Sequence, residues 1–240
     1  MTSYYHEGED RARQVRQLFS RIARRYDLIN DVQSAGMHRL WKERLVSELR
    51  PVAGMKILDL ACGSGDLAFH VLDREPGAMV IGGDFTLPML GVALERSRGR
   101  AREPSGWVNL DGLALPFVSD SLDAVMMAYG LRNMAEPERA LREIARVMKK
   151  GGCVAIMDFG KPPHALVRWL YYGFLKTVQP VLGWLFFGDG STYRYIYESL
   201  MKYPAQEGVR RLMEAAGFRD VRCFNLALGT MSLHVAVKGR

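Results

Sequence analysis

The stretch KILDLACGSGDLA, residues 56–68, constrains this chain more than any other. An apolar run, Ile57-Leu58-Asp59-Leu60, runs into a small-residue turn, Ala61 to Gly65, and a helix-type pattern begins near Asp66. Strand, tight turn and helix N-terminus open a βαβ unit that holds a nucleotide-like ligand. Glycine suits positions 63 and 65 because a Cβ there would obstruct the approach of backbone to ligand or a positive φ. Gly63, Gly65 and Ala68 also satisfy a dinucleotide pattern, so a nicotinamide cofactor has to be weighed. Two acids oppose it. Asp66 sits at the helix start, where a pyrophosphate needs the positive end to itself. Asp59 adds negative charge at the end of the strand. Both acids suit a ligand carrying an ammonium and a sulfonium, S-adenosylmethionine. The plainer alternative has Asp59 bonding loop amides and Asp66 favouring the helix dipole.

The rest of the chain reads as repeats of that unit. Ala78 to Gly83 is a second strand, and Asp84 follows it at the place where an acid accepts the ribose hydroxyls of an adenosine cofactor. Trp107 to Phe117 gives a short third strand and a loop. Asp111 lies where the adenine amino group would be read, or serves only as a turn-forming Asp-Gly pair with Gly112. Leu122 to Gly130 is a buried fourth strand that delivers Leu131, Arg132 and Asn133 to the carboxyl edge of the sheet, where open α/β folds bind ligands. Ala140 to Lys149 reads as a helix, Gly151-Gly152 as a turn, and Cys153 to Phe159 as strand five. A helix, Gln206 to Ala216, precedes two final strands, Phe218 to Leu226 and Ser232 to Lys238. The expectation is an α/β fold: a doubly wound, mostly parallel seven-stranded sheet with an antiparallel edge strand.

Two regions exceed what such a sheet needs. Residues 1–50 form a helical cover, followed by the main domain at 51–240. Val15, Leu18, Phe19, Ile22 and Tyr26 recur at helical spacing, opposite Arg13, Arg16, Arg21, Arg24 and Arg25. The stretch Tyr26 to Lys42 is dense in side chains that can bond a polar ring: Tyr26, Asp27, Asn30, Asp31 and His38. The second region is an insert at 160–203. No acid occurs from Phe159 to Gly188, which holds Trp169, Tyr171, Tyr172, Phe174, Trp184, Phe186 and Phe187. Arg168, Lys176, Gln179 and Pro180 interrupt it too often for a spanning helix. Aromatic and basic side chains without acids suit an interfacial membrane helix or the lid of an apolar tunnel.

The net charge of +7 suits an anionic partner, a nucleic acid or a membrane surface, or else reflects a basic proteome with no such partner. No RNA module is recognisable, and the aromatics gather in one apolar insert instead of interleaving with basic residues, which argues against nucleic acid. Three cysteines far apart, without metal-ligand spacing, fit a reducing cytoplasm. The N-terminal MTSYYHEGED has no apolar core of the secretory type.

Taken together, FSRIARRYDLINDVQSAGMHRLWK, ILDLACGSGDL, ALPF, YGLRNM, STYRYIYESL and YPAQEGVRRLMEAAGF resemble the ubiquinone/menaquinone biosynthesis C-methyltransferases, from about Val15 to Lys238. The resemblance implies S-adenosylmethionine as donor and a ring carbon of a polyprenylated quinol as acceptor, as in demethylmenaquinol to menaquinol or the equivalent ubiquinone precursor. It implies cofactor contacts at Ser64, Asp84 and Asp111-Gly112. A further contact, usually serine, falls on Ala128, which has no hydroxyl. Loss of a proton from a quinol hydroxyl pushes charge onto the ortho carbon. Arg132 is then expected to stabilise the phenolate, Asn133 to orient the other ring oxygen, and Tyr26, Asp27, Asp31 or His38 to serve as base or orienting group, His38 having the most suitable ordinary pKa. Peripheral contact with the cytoplasmic membrane face is also expected. The sequence leaves open a benzoquinol or a naphthoquinol, a homo-oligomer, and methylation of a phenolic oxygen or another lipid.

Overall fold

The computed structural model describes residues 8–181, 184 and 191–239. Strands β1 (Lys56–Leu60), β2 (Met79–Asp84), β3 (Gly106–Asn109), β4 (Leu122–Ala128), β5 (Met148–Phe159), β6 (Phe218–Leu226) and β7 (Met231–Lys238) form one sheet in the order β3-β2-β1-β4-β5-β7-β6. The first five strands are parallel. β7 runs antiparallel between β5 and β6, so the antiparallel strand lies inside the sheet and not at the expected edge. The reason is local: a short turn after β6 returns the chain as a hairpin, and β7 then has an open edge of β5 to fill.

Alternation along the strands divides the core. Ile57, Ala124, Met126, Ala155 and Met157 face one side, where they meet Leu67 and Val71 of helix α4 (Asp66–Arg74). Leu58, Leu60, Val125, Met127 and Ile156 face the other, where they meet Leu141 and Ile144 of α6 (Pro137–Val147). Helix α5 (Leu87–Ser97) follows β2, with Pro88 in its first turn. The glycine pair at 151–152 is a bulge inside β5, not the turn before it: Leu122 pairs with Met148 and Ala124 with Cys153, and Gly151 takes φ 77° to absorb the extra residues.

The N-terminal region is three helices: α1 (Gly8–Ile22), a 3₁₀ turn (Ala23–Arg25), α2 (Tyr26–Ser34) and α3 (Met37–Leu49). The polar stretch Tyr26 to Lys42 is therefore helical on both sides of Ala35-Gly36, which carry the left-handed φ of the turn. α3 contributes Leu45, Val46 and Leu49 to the same core side as α4. The Arg face of α1 is not all solvated, since the Arg16 guanidinium lies 3.9 Å over the Phe85 ring.

In the insert, α7 (Ala165–Gly173) continues as a π-helical segment, Phe174–Val178. Helices α8 (Ser191–Lys202) and α9 (Ala205–Ala215) follow. Phe186 and Phe187 lie outside the described residues.

Candidate active site

At the carboxyl edge of the sheet two cavities of about 120 Å³ each adjoin, and each opens to solvent. Phe19, Tyr26 and Tyr129 line both and form the partition between them. Tyr129 sits just past β4 with φ 61°, a strained value for a side chain of that size. Its ring stacks obliquely on Phe159, centroids 5.8 Å apart.

The first cavity gathers Gly63, Asp84, Asp111, Gly112 and Ala128, together with Asn133. Gly63 takes φ 56°, and a Cβ there would stand 3.1 Å from Met89 Cε and 3.6 Å from Tyr26 Cε1, crowding the cavity wall. Gly65 is needed for a different reason. It takes φ 86°, and a Cβ would meet the Trp107 ring at 2.5 Å, so packing and turn geometry both require it. The Asp84 carboxylate accepts hydrogen bonds from the N–H of Gly63 at 2.9 Å and of Thr86 at 2.8 Å. The Thr86 side chain and the Phe85 N–H also bond this carboxylate. Burial pushes the Asp84 carboxyl up, opposed by those amides. Asp111 is exposed and accepts the Leu113 N–H at 2.9 Å, which gives it the turn-forming bond as well as a place on the cavity wall.

A small annex beside this cavity is lined by Asp59, Lys42, Ser64 and Asp66. Asp59 accepts the Ala68 N–H at 3.1 Å through Oδ2, while its buried Oδ1 has no partner among the described residues. Burial pushes its carboxyl up to about 8. Asp66, read in the sequence as an acid for a cationic ligand, is already neutralised. It accepts from Lys42 Nζ at 2.7 Å and from Arg96 Nη2 at 2.6 Å. Burial alone would raise its carboxyl, but these two charges hold it well below the carboxylate range. Ser64 Oγ donates to Asp27 Oδ1 at 2.7 Å, and Arg96 Nη1 lies 2.9 Å from Asp27 Oδ2. Ser64 therefore fastens α2 to the glycine turn. The orphaned Asp59 oxygen, the cradle at Gly63 and the acids at 84 and 111 fit an adenosyl ligand with a cationic amino-acid end.

The second cavity is mostly apolar, with Leu18, Ile22, Ile29 and Leu175 on its walls and His38, Arg132, Tyr171 and Gln179 among them. Tyr26, at the partition, has its phenol pushed up to about 12 by burial. His38 Nε2 lies 2.9 Å from Asp31 Oδ1, and Asp31 Oδ2 accepts from Arg39 at 2.8 Å. An ionised carboxylate only accepts, so Nε2 carries the hydrogen and Nδ1 the lone pair. Nδ1 is buried with no partner among the described residues. Burial lowers the His38 pKa below its ordinary 6.5, against the opposing pull of Asp31. The imidazole is thus a neutral, oriented acceptor.

Arg132 is more deeply engaged than its place on the sheet edge predicts. Its Nε lies 3.1 Å from Asp158 Oδ1, at ion-pair distance but off the hydrogen-bond direction. Its Nη1 donates to Ser199 Oγ at 3.0 Å and to Asn133 Oδ1 at 3.2 Å, and its backbone N–H donates to Asp158 Oδ2 at 3.0 Å. Its carbonyl accepts from Arg11 of α1. Arg132 lines the second cavity and not the first, while its neighbour Asn133 lines the first and donates Nδ2 to the Tyr129 carbonyl at 2.8 Å. The pair was expected to act together and is divided between the cavities. Tyr129, Asp158 and Gln179 are not among the residues the sequence points to, while Asp27, which it does point to, is engaged with Ser64 and Arg96. The Tyr-Gly step before Leu131 was the only local signal for any of them.

The sequence and the fold are similar to those of known proteins. The model of the ubiE/COQ5 methyltransferase family matches residues 6–238. A ubiquinone/menaquinone biosynthesis C-methyltransferase from Paracoccus denitrificans is 39% identical, over 94% of this chain and 91% of the relative. A demethylmenaquinone methyltransferase from Thermus thermophilus is 41% identical, over 91% and 98%. Among solved structures, an S-adenosylmethionine-dependent methyltransferase from Thermotoga maritima superposes with a TM-score of 0.67 at 17% identity, covering 93% of this chain and 99% of its own, a likeness of fold. The chain belongs to the ubiE/COQ5 methyltransferase family and is a methyltransferase.

Proposed function

We propose that this protein methylates a ring carbon of a polyprenylated quinol, with S-adenosylmethionine as donor, in respiratory quinone biosynthesis. The observation that carries the reading is the pair of adjoining cavities, one holding the acids Asp84 and Asp111 beside the annex of Asp59, whose Oδ1 has no partner among the described residues, the other holding an oriented imidazole acceptor. The relatives' names support the acceptor class. The sulfonium of the bound donor supplies an electrophilic methyl group. Asp59 holds the donor's ammonium, Asp84 its ribose, and Asp111 with Gly112 its adenine; Ala128 contributes only backbone and a methyl wall there. His38 takes a proton from one ring hydroxyl. Arg132 lends positive charge to the ring oxygen left behind, and Tyr26, a neutral phenol, keeps the two cavities in register. Helices α1, α2 and α3 cover the site. The test is incubation of the full chain with isotopically labelled donor and demethylmenaquinol or its benzoquinol counterpart. A C-methylated product from one of them is expected, and none from either would overturn the reading.

Asp59 gives a second measurable consequence. Its folded pKa is raised, so the free protein holds it protonated below about 8. A cation docked on Oδ1 favours the ionised form. At pH 7, donor binding is expected to release about one proton, and affinity to rise as pH climbs toward 8. Calorimetry in buffers of different ionisation enthalpy reads this directly. An Asp59→Asn variant should abolish the release, and equal enthalpies in all buffers for the unaltered protein would refute it.

The lipid-soluble acceptor requires access to a membrane. Leu166, Trp169, Leu170, Phe174, Val178, Val181 and Trp184 recur at three- and four-residue spacing and are all exposed. Lys176 lies on the exposed side, Arg168 is half-buried beside the stripe, and no acid interrupts it. No helix among the described residues is long and apolar enough to cross a membrane. An apolar stripe with basic neighbours fits shallow insertion into an anionic surface, here the cytoplasmic face. Trp169→Ser with Trp184→Ser is expected to cut co-sedimentation with anionic vesicles at least about tenfold, since two aromatic rings leave the interface. Unchanged sedimentation would remove the insert from this role.

A further inference from the structure

Beyond His38 Nδ1, Asn30 Nδ2 and the Arg132 Nε that faces Asp158, three more polar groups on the second cavity have no hydrogen-bond partner among the described residues: Gln33 Nε2, Tyr171 Oη and Gln179 Oε1. Gln179 is 3% exposed. Burial pushes the Tyr171 phenol well up, so its hydroxyl stays a neutral donor. Buried polar groups are nearly always paired, and each orphan costs folding free energy. One orphan can be an accident of packing. Three that converge on one cavity from α2 and from an insert some 140 residues later in the chain describe a recognition site kept open at the expense of stability.

Their chemistry is complementary. Gln33 Nε2 and Tyr171 Oη donate, and Gln179 Oε1 accepts. A phenolic hydroxyl donates one hydrogen bond and accepts others, so it satisfies both kinds at once. A C–H at the same ring position satisfies neither.

On the reading of the preceding section, His38 Nδ1 receives the first ring hydroxyl. We propose that Gln33, Tyr171 and Gln179 are positioning residues that hold the second, para hydroxyl, so that the cavity selects a dihydroxylated ring instead of any lipophilic one. Specificity of this kind is strong because a ligand lacking the oxygen leaves the buried groups unpaired. It also assigns the insert helix two jobs on two faces: Tyr171, Leu175 and Gln179 turn to the cavity while Trp169, Leu170 and Val178 are exposed.

The test uses the full chain in detergent micelles with two probes, a monoprenylated 1,4-naphthoquinol and the matching monoprenylated naphthalene without ring oxygens. The unaltered protein is expected to prefer the quinol by roughly 10- to 100-fold. Tyr171→Phe and Gln179→Leu are each expected to cut that preference about fivefold or more, to raise the quinol KM more than they lower kcat, and to leave donor affinity unchanged. Because each variant removes an orphaned group, its melting temperature should hold or rise. A structural role predicts the opposite, a lower melting temperature with the preference intact, and that result would overturn the assignment. So would equal affinity of the unaltered protein for the two probes while it still methylates the quinol, or a preference satisfied by ordered water and unaffected in both variants. If the unaltered protein neither binds nor methylates the quinol, the proposed function falls first.

Discussion

His38→Asn is expected to lower kcat about 10²- to 10⁴-fold while leaving the affinity for S-adenosylmethionine within about twofold, the range associated with losing a positioned general base. Two observations set this magnitude. Nε2 is committed to Asp31, which fixes the tautomer and leaves the lone pair on Nδ1, and Nδ1 lies buried on the acceptor cavity with no partner among the described residues. The pH dependence follows with a definite sign. Burial depresses the imidazole pKa, so His38 is already neutral at pH 7, and kcat/KM should stay flat there and fall only as pH drops below about 6.5, the ordinary histidine value. The contribution to stability has the same sign. The unfolded chain binds the proton first, so stability present above pH 6.5 is lost as pH falls toward the folded pKa. Asp31 pulls the other way, raising the His38 pKa. Asp31→Asn should therefore move the acid limb to still lower pH while reducing kcat through loss of the fixed tautomer. Steady-state rates with a reduced naphthoquinol between pH 5 and 8 measure both, and a His38→Asn kcat within about threefold of the unaltered protein would exclude this base.

What the sequence made legible here was local. The strand, the glycine turn and the helix start at 56–68 are contiguous, and the strand-end acid Asp84 follows its strand at once, so spacing alone finds them. The resemblance extended this to the N-terminal cover and to Arg132-Asn133. What escaped was set by contacts between distant segments. The Ser64 hydroxyl donates to Asp27, 37 residues earlier, a bond that no spacing rule reveals. The Trp107 ring lies against Gly65, so packing as well as the turn requires the glycine. Asp66 looks free for a cation until Lys42 and Arg96 converge on it. Gln179 reads as a helix breaker because an insert that is apolar on both faces carries no periodic signal to say which side is the cavity. The order β5-β7-β6 escaped for the same reason, since a hairpin names its own partner strand but not the third strand it invades.

Arg132 carries the second large effect, and the structure changes what its removal should do. A guanidinium waiting at the sheet edge would be lost at the expense of turnover alone. Here it is buried against Asp158, and Asp158 is buried with it. Burial pushes the Asp158 carboxyl up, while the Arg132 charge and the N–H groups of Arg132 and Phe159 oppose it. Arg132→Met strands that carboxylate, and the expected loss is about 3–5 kcal/mol of unfolding free energy together with most of the turnover. Donor affinity should survive at temperatures where the variant is folded, because Arg132 does not line the donor cavity. The double variant Arg132→Met, Asp158→Asn separates the two roles. It removes the stranded charge and keeps an amide oxygen for a backbone N–H, so it is expected to recover about half of the lost stability. Turnover should not recover, since no cation is restored beside the ring oxygen. Denaturant unfolding of the four proteins in the cycle, with rates measured in parallel, decides between these roles. Recovery of turnover along with stability would make Arg132 a structural residue only. A single variant that loses less than about 1 kcal/mol would mean that water reaches Asp158 and that the pair is not buried in solution.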